Sequence, residues 1–510
     1  MSVEGNLRQM ERSREVYWLR YPNTSPTKLR WRAVTVRHSF HVLPGESILE
    51  LGAGSGLWTE HLTAVLRGEN PITAAVLNED LLREGERRNL HNVGFMRITD
   101  LTTDLPAEAF DYVVGTAILC HNQYPQTLRS LYRSLKPGGQ LLFFEANYWN
   151  PQVFLKNAFP ALGRWTGNAR CQIGLRKYRL MQLTSHQGFT HVDVIPYDIV
   201  HPLTPQRFLP FVQALGFVLE HAPLISELCG TLYILAKKPG GNPRPMMNLA
   251  RHPELQQSVS VVAPCHNEEM NVPALVDALV GMYGDYLHEI IIVNDNSTDR
   301  TAEVTREVAQ REPRVKLVDR EPPSGVGRAL RDGYAAATGR YILTMDSDFV
   351  QIVPEFRDLF DAVAQGHAGA IGSRFSHESI LINYPFLKIL CNRLFHLVVN
   401  LLLPSRVRDI SNNLKLYRAD ILKNLDICAN HFAANVETGL RPLLAGHDIR
   451  EVPISWINRT VDMGSSSFRI LRVGPDYFLT LVRLFRDTWR RRRATYVHAA
   501  PPGPNQLPDI

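Results

Sequence analysis

The chain of 510 residues is too long for a single hydrophobic core, so two or three domains are expected. Its apolar fraction of 45% and charged fraction of 21% are ordinary for a globular protein. The net charge of +6 is too small to indicate a nucleic-acid partner, and we expect none. Six cysteines without CxxC spacing fit reduced core thiols in a cytosolic protein better than disulfides or a zinc site.

The sequence predicts neither a signal peptide nor a membrane-spanning helix. Residues 1–6 lack the charged-then-apolar build of a signal peptide. No run reaches the roughly 18 uncharged apolar residues that a span needs. The nearest, 387–403, is interrupted by polar residues and predicts a helix with one apolar face. We therefore expect a cytoplasmic protein.

Residues 1–238 read as a first domain. Residues 1–44 are basic and aromatic and predict a helical lead-in. Beyond them, short apolar runs alternate with helical patterns, which is typical of a parallel sheet flanked by helices. The predicted strands are 47–51, 74–77, 95–98, 112–116, 140–145 and 232–237.

A segment at 239–257, rich in proline and glycine at its start, reads as a linker to a second alternating block at 258–475. Residues 476–510 predict a basic amphipathic segment and a disordered tail. The sequence thus predicts an α/β protein with two doubly wound domains. The predicted strands of the second block are 258–263, 289–293, 315–319, 341–345 and 369–372.

A glycine-rich loop follows the first strand. Gly52, Gly54 and Gly56 come directly after the strand, and glycines let a backbone approach a ligand closely. Glu50 precedes them, where the strand end can hold a cationic amino group. Such a loop alone is a weak signal, because NAD-binding folds use a similar one.

Further motifs accompany this loop: Thr99-Asp100 after the third strand, the strand at 110–114, and the Pro137-Gly138-Gly139 turn. Together they make residues 30–238 resemble the class I S-adenosylmethionine-dependent methyltransferases. The resemblance implies a Rossmann-like fold and S-adenosylmethionine contacts at Glu50, Gly52, Gly54, Gly56, Glu79 and Asp100. The contact at Asp100 would be to adenine and that at Glu79 to the ribose.

The catalytic group of this domain stays open. His121 lies where a base could act, but a polar cap on the fourth strand is the slightly favoured alternative. The whole domain could also be an inactive scaffold that binds S-adenosylmethionine.

An acidic triplet marks the second block. Asp346 and Asp348 follow an apolar strand, where two carboxylates are costly unless a positive group binds them. Oxygen ligands suit Mg²⁺ or Mn²⁺, and such an ion could bridge a nucleotide diphosphate. Two earlier strands end in Pro264-Cys265-His266-Asn267-Glu268 and in Asn294-Asp295.

These three motifs strongly resemble glycosyltransferase family 2, with its GT-A fold. The segments 372–374, 407–418 and 451–468 resemble more closely its polyprenyl-phosphate and dolichyl-phosphate sugar synthases. The resemblance implies that Asp346 and Asp348 meet the metal and the diphosphate. It also implies nucleotide contacts at Pro264, Glu268 and Asp295, and phosphate contacts at Arg374, Arg408 and Arg459.

Three positions depart from that pattern. Asn294 replaces the first of a usual Asp pair. A metal-binding Gln expected two residues after Asp348 falls one residue later, at Gln351. Ser467 stands where a lysine is frequent.

The leading hypothesis is a bifunctional transferase. Its second half would move mannose or glucose from GDP-mannose or UDP-glucose to a polyprenyl or dolichyl phosphate, an anion that needs no strong general base. The alternative acceptor is a sugar hydroxyl, with Asp409 or Glu437 as base. The first half would methylate a related glycan, lipid or small molecule.

A lipid acceptor requires contact with a membrane surface. The segment 468–493 has apolar residues at helical spacing and ends in arginines. It could lie in the interface at the cytosolic membrane face, or simply pack on the catalytic domain.

Overall fold

The computed structural model describes residues 3–99, 104–119, 124–159, 174–241, 244, 246–382, 384–457 and 470–498. The chain forms two compact units. Unit 1 comprises Met1–Pro245 with Tyr384–Phe386, and unit 2 comprises Met246–Asn383 with Leu387–Ile510.

Unit 1 is built on a seven-stranded mixed sheet in the order β3-β2-β1-β4-β5-β7-β6. The first five strands in this order are parallel, and β7 runs antiparallel to both of its neighbours. The strands are β1 (Ile48–Leu51), β2 (Ile72–Val76), β3 (Val93–Arg97), β4 (Phe110–Thr116), β5 (Leu135–Ala146), β6 (Thr190–Tyr197) and β7 (Thr231–Lys237). The helices are α1 (Val3–Arg20), α2 (Ser25–Phe40), α3 (Leu57–Val65), α4 (Glu79–Arg87), α5 (Tyr124–Ser134), α6 (Pro151–Ala158), α7 (Lys177–His186) and α8 (Leu209–Leu219).

Helices cover both faces of this sheet. Successive residues of a strand point to opposite faces. Accordingly, Phe143 joins a buried cluster that includes Leu128 of α5. The adjacent Phe144 joins the cluster on the other face, with Trp31 of α2. Burial on both faces explains why these strands read as continuous apolar runs rather than as alternating ones.

Unit 2 contains a second seven-stranded mixed sheet, in the order β10-β9-β8-β11-β14-β12-β15, with β14 antiparallel to both neighbours. Strands β13 and β16 form a separate parallel pair. The strands are β8 (Val259–Cys265), β9 (Leu287–Asn294), β10 (Val315–Asp319), β11 (Tyr341–Thr344), β12 (Gly369–Ser373), β13 (Ile380–Ile382), β14 (Lys415–Arg418), β15 (Ile449–Pro453) and β16 (Ser455–Ile457). The helices are α9 (Asn271–Tyr283), α10 (Thr301–Arg311), α11 (Val326–Ala336), α12 (Arg357–Ala364), α13 (Phe386–Leu402), α14 (Ala419–Lys423), α15 (Ala434–Leu444) and α16 (Ile470–His498).

The predicted fold class of two doubly wound α/β domains is confirmed. Every predicted strand is present, but β6 and β13 to β16 were not foreseen. Strand β14 was missed because it begins with Lys415, which a pattern of apolar residues does not admit. In the structure the Lys415 ammonium is buried and donates to Asn412 O, Asn435 O and Thr438 Oγ1 at 2.5 to 3.0 Å.

In each sheet the strand order reverses between two adjacent central strands, which are β1 and β4 in unit 1 and β8 and β11 in unit 2. The connections from these two strands run to opposite sides of the sheet. Ligands of open α/β sheets bind at the carboxyl ends of such strand pairs. These two edges therefore define where the candidate sites lie. Within the part of the chain that the structure describes, no helix is long and apolar enough to cross a membrane.

Candidate active sites

The acidic pair of unit 2 lies just beyond the carboxyl end of β11. The half-buried Asp346 has its pKa raised to about 6, first by burial and then by the charge of Asp348. Asn413 Nδ2 donates to Asp346 Oδ1 at 2.8 Å, which opposes the rise. The two carboxylates therefore repel each other in a place that favours a bound cation.

Asn413 adds a third oxygen to this place. Its side chain is buried, and its Oδ1 accepts no hydrogen bond from the described residues. Two carboxylates and an amide oxygen are ligands that Mg²⁺ and Mn²⁺ accept. Among the described residues no cluster of three or more His, Cys, Asp or Glu could hold a metal ion. The two carboxylates and the amide oxygen would leave part of an ion's coordination shell to phosphate oxygens, as Mg²⁺ sites often do. Gln351 is exposed.

The loops after β8 and β9 are tied to each other. Asn267 Oδ1 accepts the Thr298 N–H at 2.8 Å, and the Asn267 N–H donates to Ser297 Oγ at 3.0 Å. The ring of His266 is bonded through Nδ1 to the carbonyl oxygen of Asp295 at 2.8 Å. These contacts hold the predicted nucleotide-binding loops in a fixed arrangement beside the switch point.

Three residues predicted to contact the nucleotide lie on this edge. Asp295 is buried, pairs with Arg320, and accepts the Gly325 N–H at 2.7 Å. Because a carboxylate has about four acceptor positions, Asp295 can still accept from a base. Pro264 is half-buried in β8, and Glu268, in the loop after it, accepts from Asn271 Nδ2 at 2.5 Å.

The replacement of an aspartate by Asn294 has a structural reason. Asn294 Nδ2 donates to Asp319 Oδ1 at 2.7 Å, and its Oδ1 accepts the Ser297 N–H at 3.2 Å. A carboxylate could not donate and would face Asp319 with like charge. Arg320, which neutralises Asp295, had no signal in the sequence.

The predicted phosphate-binding arginines differ in their surroundings. Arg374 forms a bidentate ion pair with the buried Asp409, with Nε–Oδ2 and Nη2–Oδ1 distances of 2.7 and 3.0 Å. Arg374 holds the pKa of Asp409 well below its usual range, against the effect of burial. Removing one partner of such a pair typically costs about 3–5 kcal/mol. Arg374 therefore orients the 409–413 segment, including Asn413, whatever ligand it also meets.

Arg408 is exposed and lines an open cavity of about 700 Å³. Its backbone N–H donates to Glu451 Oε1 at 3.1 Å, which holds the loop without using the guanidinium. The remaining lining residues are Asn400, Leu403, Pro404, Ser405, Arg406 and Val407. Two arginines around one cavity suit an anionic ligand. Arg459 and Ser467 lie outside the described residues.

In unit 1, the glycine loop lies at the carboxyl end of β1. Gly52, Gly54 and Gly56 have φ angles of 68°, 61° and 80°, a backbone conformation that favours glycine. Burial raises the pKa of Glu50 to about 7, and its Oε2 accepts no hydrogen bond from the described residues. A buried, unsatisfied carboxyl oxygen beside the loop fits the expected amino group of S-adenosylmethionine.

Of the other predicted site residues of unit 1, the structure describes only Glu79, which is less favourably placed. Glu79 is exposed and pairs with Arg83 at 2.6 Å and with Arg97 at 3.0 Å. Asp100 and His121 lie outside the described residues.

Comparison with known families matches both halves of the chain. The model of glycosyl transferase family 2 matches residues 260–426, and that of the ubiE/COQ5 methyltransferase family matches residues 27–166. Residues 260–426 are thus a glycosyl transferase family 2 domain, and residues 27–166 a ubiE/COQ5-type methyltransferase domain. Both resemblances are confirmed at the level of the family, and the chain is a two-domain transferase.

Individual relatives cover parts of the chain. The polyprenol monophosphomannose synthase of Mycolicibacterium smegmatis is 28% identical over 223 residues, which are 41% of this chain and 82% of the relative. The dolichol-phosphate mannosyltransferase of Pyrococcus furiosus is 31% identical over 154 residues, 30% of this chain and 43% of the relative. A Thermotoga maritima methyltransferase structure is 18% identical and covers 46% of this chain and 99% of its own, with a TM-score of 0.32.

Replacing Asp348 by Asn should stabilise unit 2 in the absence of metal. A carboxyl with a folded-state pKa near 6 destabilises the fold as pH rises above about 4, and fully so above about 6. Removing the Asp348 charge lowers the pKa of Asp346. We expect a gain of about 1 kcal/mol at pH 7.5 and a smaller one at pH 5.

Thermal unfolding in EDTA at both pH values measures this gain. Asp420→Asn, in an exposed ion pair with Arg418, is the control. An unchanged or lower midpoint for Asp348→Asn at pH 7.5 would show that the two carboxylates do not repel each other.

Proposed function

We propose that unit 2 transfers a hexose from a nucleotide sugar to a polyprenyl phosphate with inversion at the anomeric carbon. The observation that carries the proposal is the pairing of Asp346 and Asp348 at the switch point, in a domain whose relatives are named for polyprenol and dolichol phosphate. Both names favour mannose, and hence GDP-mannose, over UDP-glucose.

Each part of the site has a role in this reaction. Asp295, with Pro264 and Glu268, would hold the nucleoside. Asp346 and Asp348 would hold a divalent ion, which would supply positive charge to offset that on the departing nucleoside diphosphate. A phosphate oxygen of the acceptor would attack the anomeric carbon as the bond to the diphosphate breaks.

The carboxylates that a hydroxyl acceptor would need as a base are both engaged. Asp409 is buried against Arg374. Glu437 is buried, pairs with Arg441 at 3.1 Å, and accepts the N–H groups of Cys428 and Ala429 at 2.9 and 2.7 Å. A phosphate acceptor needs neither, because it is already an anion near pH 7. This favours the lipid phosphate over the sugar hydroxyl.

Two helices of unit 2 present apolar side chains that are exposed in the part of the chain that the structure describes. Helices α13 and α16 pack together through a buried cluster that includes Val399 and Leu481, so one side of α16 does pack on the domain. Both helices leave a second apolar face exposed: Leu394, Leu397, Val398 and Leu401 on α13, and Phe478, Val482 and Trp489 on α16. Their spacings place each set on one face of its helix.

This exposed surface fits the headgroup boundary of a membrane. The cavity with Arg406 and Arg408 opens just after α13, within a few residues of Leu401. Exposed Arg483, Arg486 and Arg490 alternate with the apolar residues of α16. Each basic residue near an anionic surface gains roughly 1 kcal/mol. We infer a peripheral contact that brings the lipid phosphate to the arginines.

Replacing Asp348 by Ala should abolish transfer of label from GDP-mannose to polyprenyl phosphate. With Mn²⁺ or Mg²⁺ present, we expect wild-type enzyme to move label into the organic phase. Loss of the metal site should reduce the rate by at least ~100-fold. UDP-glucose in parallel identifies the donor, and Asp420→Ala is the matched acidic control.

No lipid label from either donor, with nucleotide sugar still bound, would contradict the lipid acceptor. Label on a soluble sugar acceptor instead would favour the hydroxyl alternative.

Replacing Leu397 and Leu401 by Glu should weaken binding to vesicles that contain anionic phospholipid. The charges would stand on the exposed face of α13, so the fold should persist while co-sedimentation falls several-fold. Met270→Glu, which changes an exposed apolar residue on another helix boundary, is the control. Equal co-sedimentation of all three proteins would show that α13 does not contact the membrane.

For unit 1 we propose S-adenosylmethionine binding at the Gly52–Gly56 loop and methylation of a glycan, lipid or small molecule. The conformation of the loop and the buried Glu50 support cofactor binding. An inactive binding scaffold is the alternative.

A further inference from the structure

The space above the glycine loop of unit 1 is filled by side chains of helix α1. A side-chain carbon at Gly54 would lie 2.6 Å from Glu15 Oε2 and 3.3 Å from Arg14 Nη2. Ser55 Oγ donates to Glu15 Oε1. The glycines leave room for a close approach, and in this structure α1 makes that approach.

Arg14 satisfies two carbonyl groups at the switch point. Its guanidinium donates to the carbonyl oxygen of Gly52, after β1, and to that of Thr116, at the end of β4, the latter at 2.8 Å. The side chain is buried. A pair of converging carbonyl oxygens beside the buried Glu50 is suited to any compact cation with several N–H donors, an ammonium group included.

Glu11 satisfies the neighbouring donors. Its carboxylate accepts the N–H of Gly54 at 3.2 Å, that of Leu77 at 3.1 Å and that of Asn78 at 2.9 Å. It also accepts from Asn78 Nδ2 at 2.8 Å, and burial raises its pKa. These backbone donors line the ends of β1 and β2, where a ligand would place carboxylate or hydroxyl oxygens.

We propose that α1 is an intramolecular occupant of the cofactor crevice. Arg14 takes the place of a ligand's ammonium group, and Glu11 takes the place of its acceptor oxygens. A nucleoside that carries an amino acid, as S-adenosylmethionine does, then binds only when this part of α1 moves away. The inference rests on the proposed cofactor binding of unit 1.

The polar contacts of Glu11, Arg14 and Glu15 and a few buried apolar side chains hold the helix in place. Of its apolar side chains, Leu7, Met10 and Trp18 join the buried clusters of unit 1. Val16 and Leu19 are more than half exposed, at 59% and 63%. Loss of the Arg14 or Glu11 contacts should therefore raise the fraction of molecules with an open crevice.

Calorimetric titration with S-adenosylhomocysteine tests whether α1 occupies the cofactor crevice. When only a fraction of molecules is competent to bind, the apparent Kd equals the intrinsic Kd divided by that fraction and is therefore higher. We expect Arg14→Ala and Glu11→Gln each to tighten binding by roughly tenfold, with Arg12→Ala, an exposed change on the same helix, unaltered. In the wild type, saturating ligand should also speed tryptic cleavage within α1.

Three outcomes would overturn the proposal. Weaker binding by Arg14→Ala and Glu11→Gln would make these residues ligands of the cofactor instead. Affinities equal to those of the wild type would show that α1 does not compete. Absence of binding by the wild type and by both variants, with the cooperative thermal unfolding of unit 1 retained, would show that the crevice takes no such ligand. Sugar transfer by unit 2 is measured separately, so a failure of the function proposed for unit 2 can be told apart from a failure of the inference about α1.

Discussion

The burial of the Asp346 carboxyl next to the charge of Asp348 is the physical constraint that defines the candidate site of unit 2. The two carboxylates follow a buried strand, and burial together with the Asp348 charge raises the pKa of Asp346 to about 6. Without a cation, this edge of the sheet is electrostatically unfavourable, so its stability and its ligand affinity are linked. The Arg374–Asp409 pair lies beside it and fixes the segment that carries Asn413. The fold thus brings these oxygen atoms together, which supports the proposed binding of a divalent ion at this edge.

The two units share a sheet topology but place different chemical groups at the corresponding edge. Both place a loop at the carboxyl ends of two central strands from which the chain departs in opposite directions. In unit 2 that edge carries the neighbouring carboxylates of Asp346 and Asp348, which supports the proposed binding of a metal and a diphosphate. In unit 1 the edge presents backbone N–H and carbonyl groups of the glycine loop and the adjacent strand ends. The charged side chains of Glu11 and Arg14 on α1 form hydrogen bonds with them. The candidate sites of the two units therefore differ in charge, and we expect them to bind different ligands.

Features encoded within a few residues of each other could be predicted from the sequence, and features that depend on distant contacts could not. The Gly52–Gly56 loop and the acidic pair were located correctly at strand ends, because strand, turn and motif are contiguous. Asn413 approaches Asp346 across 67 residues, and Arg14 reaches Gly52 across 38, so neither spacing carries a signal. The same holds for the predicted phosphate ligand Arg374, whose ion pair with Asp409 is visible only in three dimensions.

The most direct test of the account is whether the metal and the diphosphate bind to unit 2 as one ligand. Calorimetric titration of Mn²⁺ into the full chain, with and without GDP or UDP, measures this coupling. We predict that a nucleoside diphosphate tightens Mn²⁺ binding by about tenfold or more, a coupling of about 1.4 kcal/mol, and that Asp346→Asn removes the effect. Mn²⁺ binding that is indifferent to the nucleotide, or nucleotide binding that is unchanged by EDTA, would contradict the account.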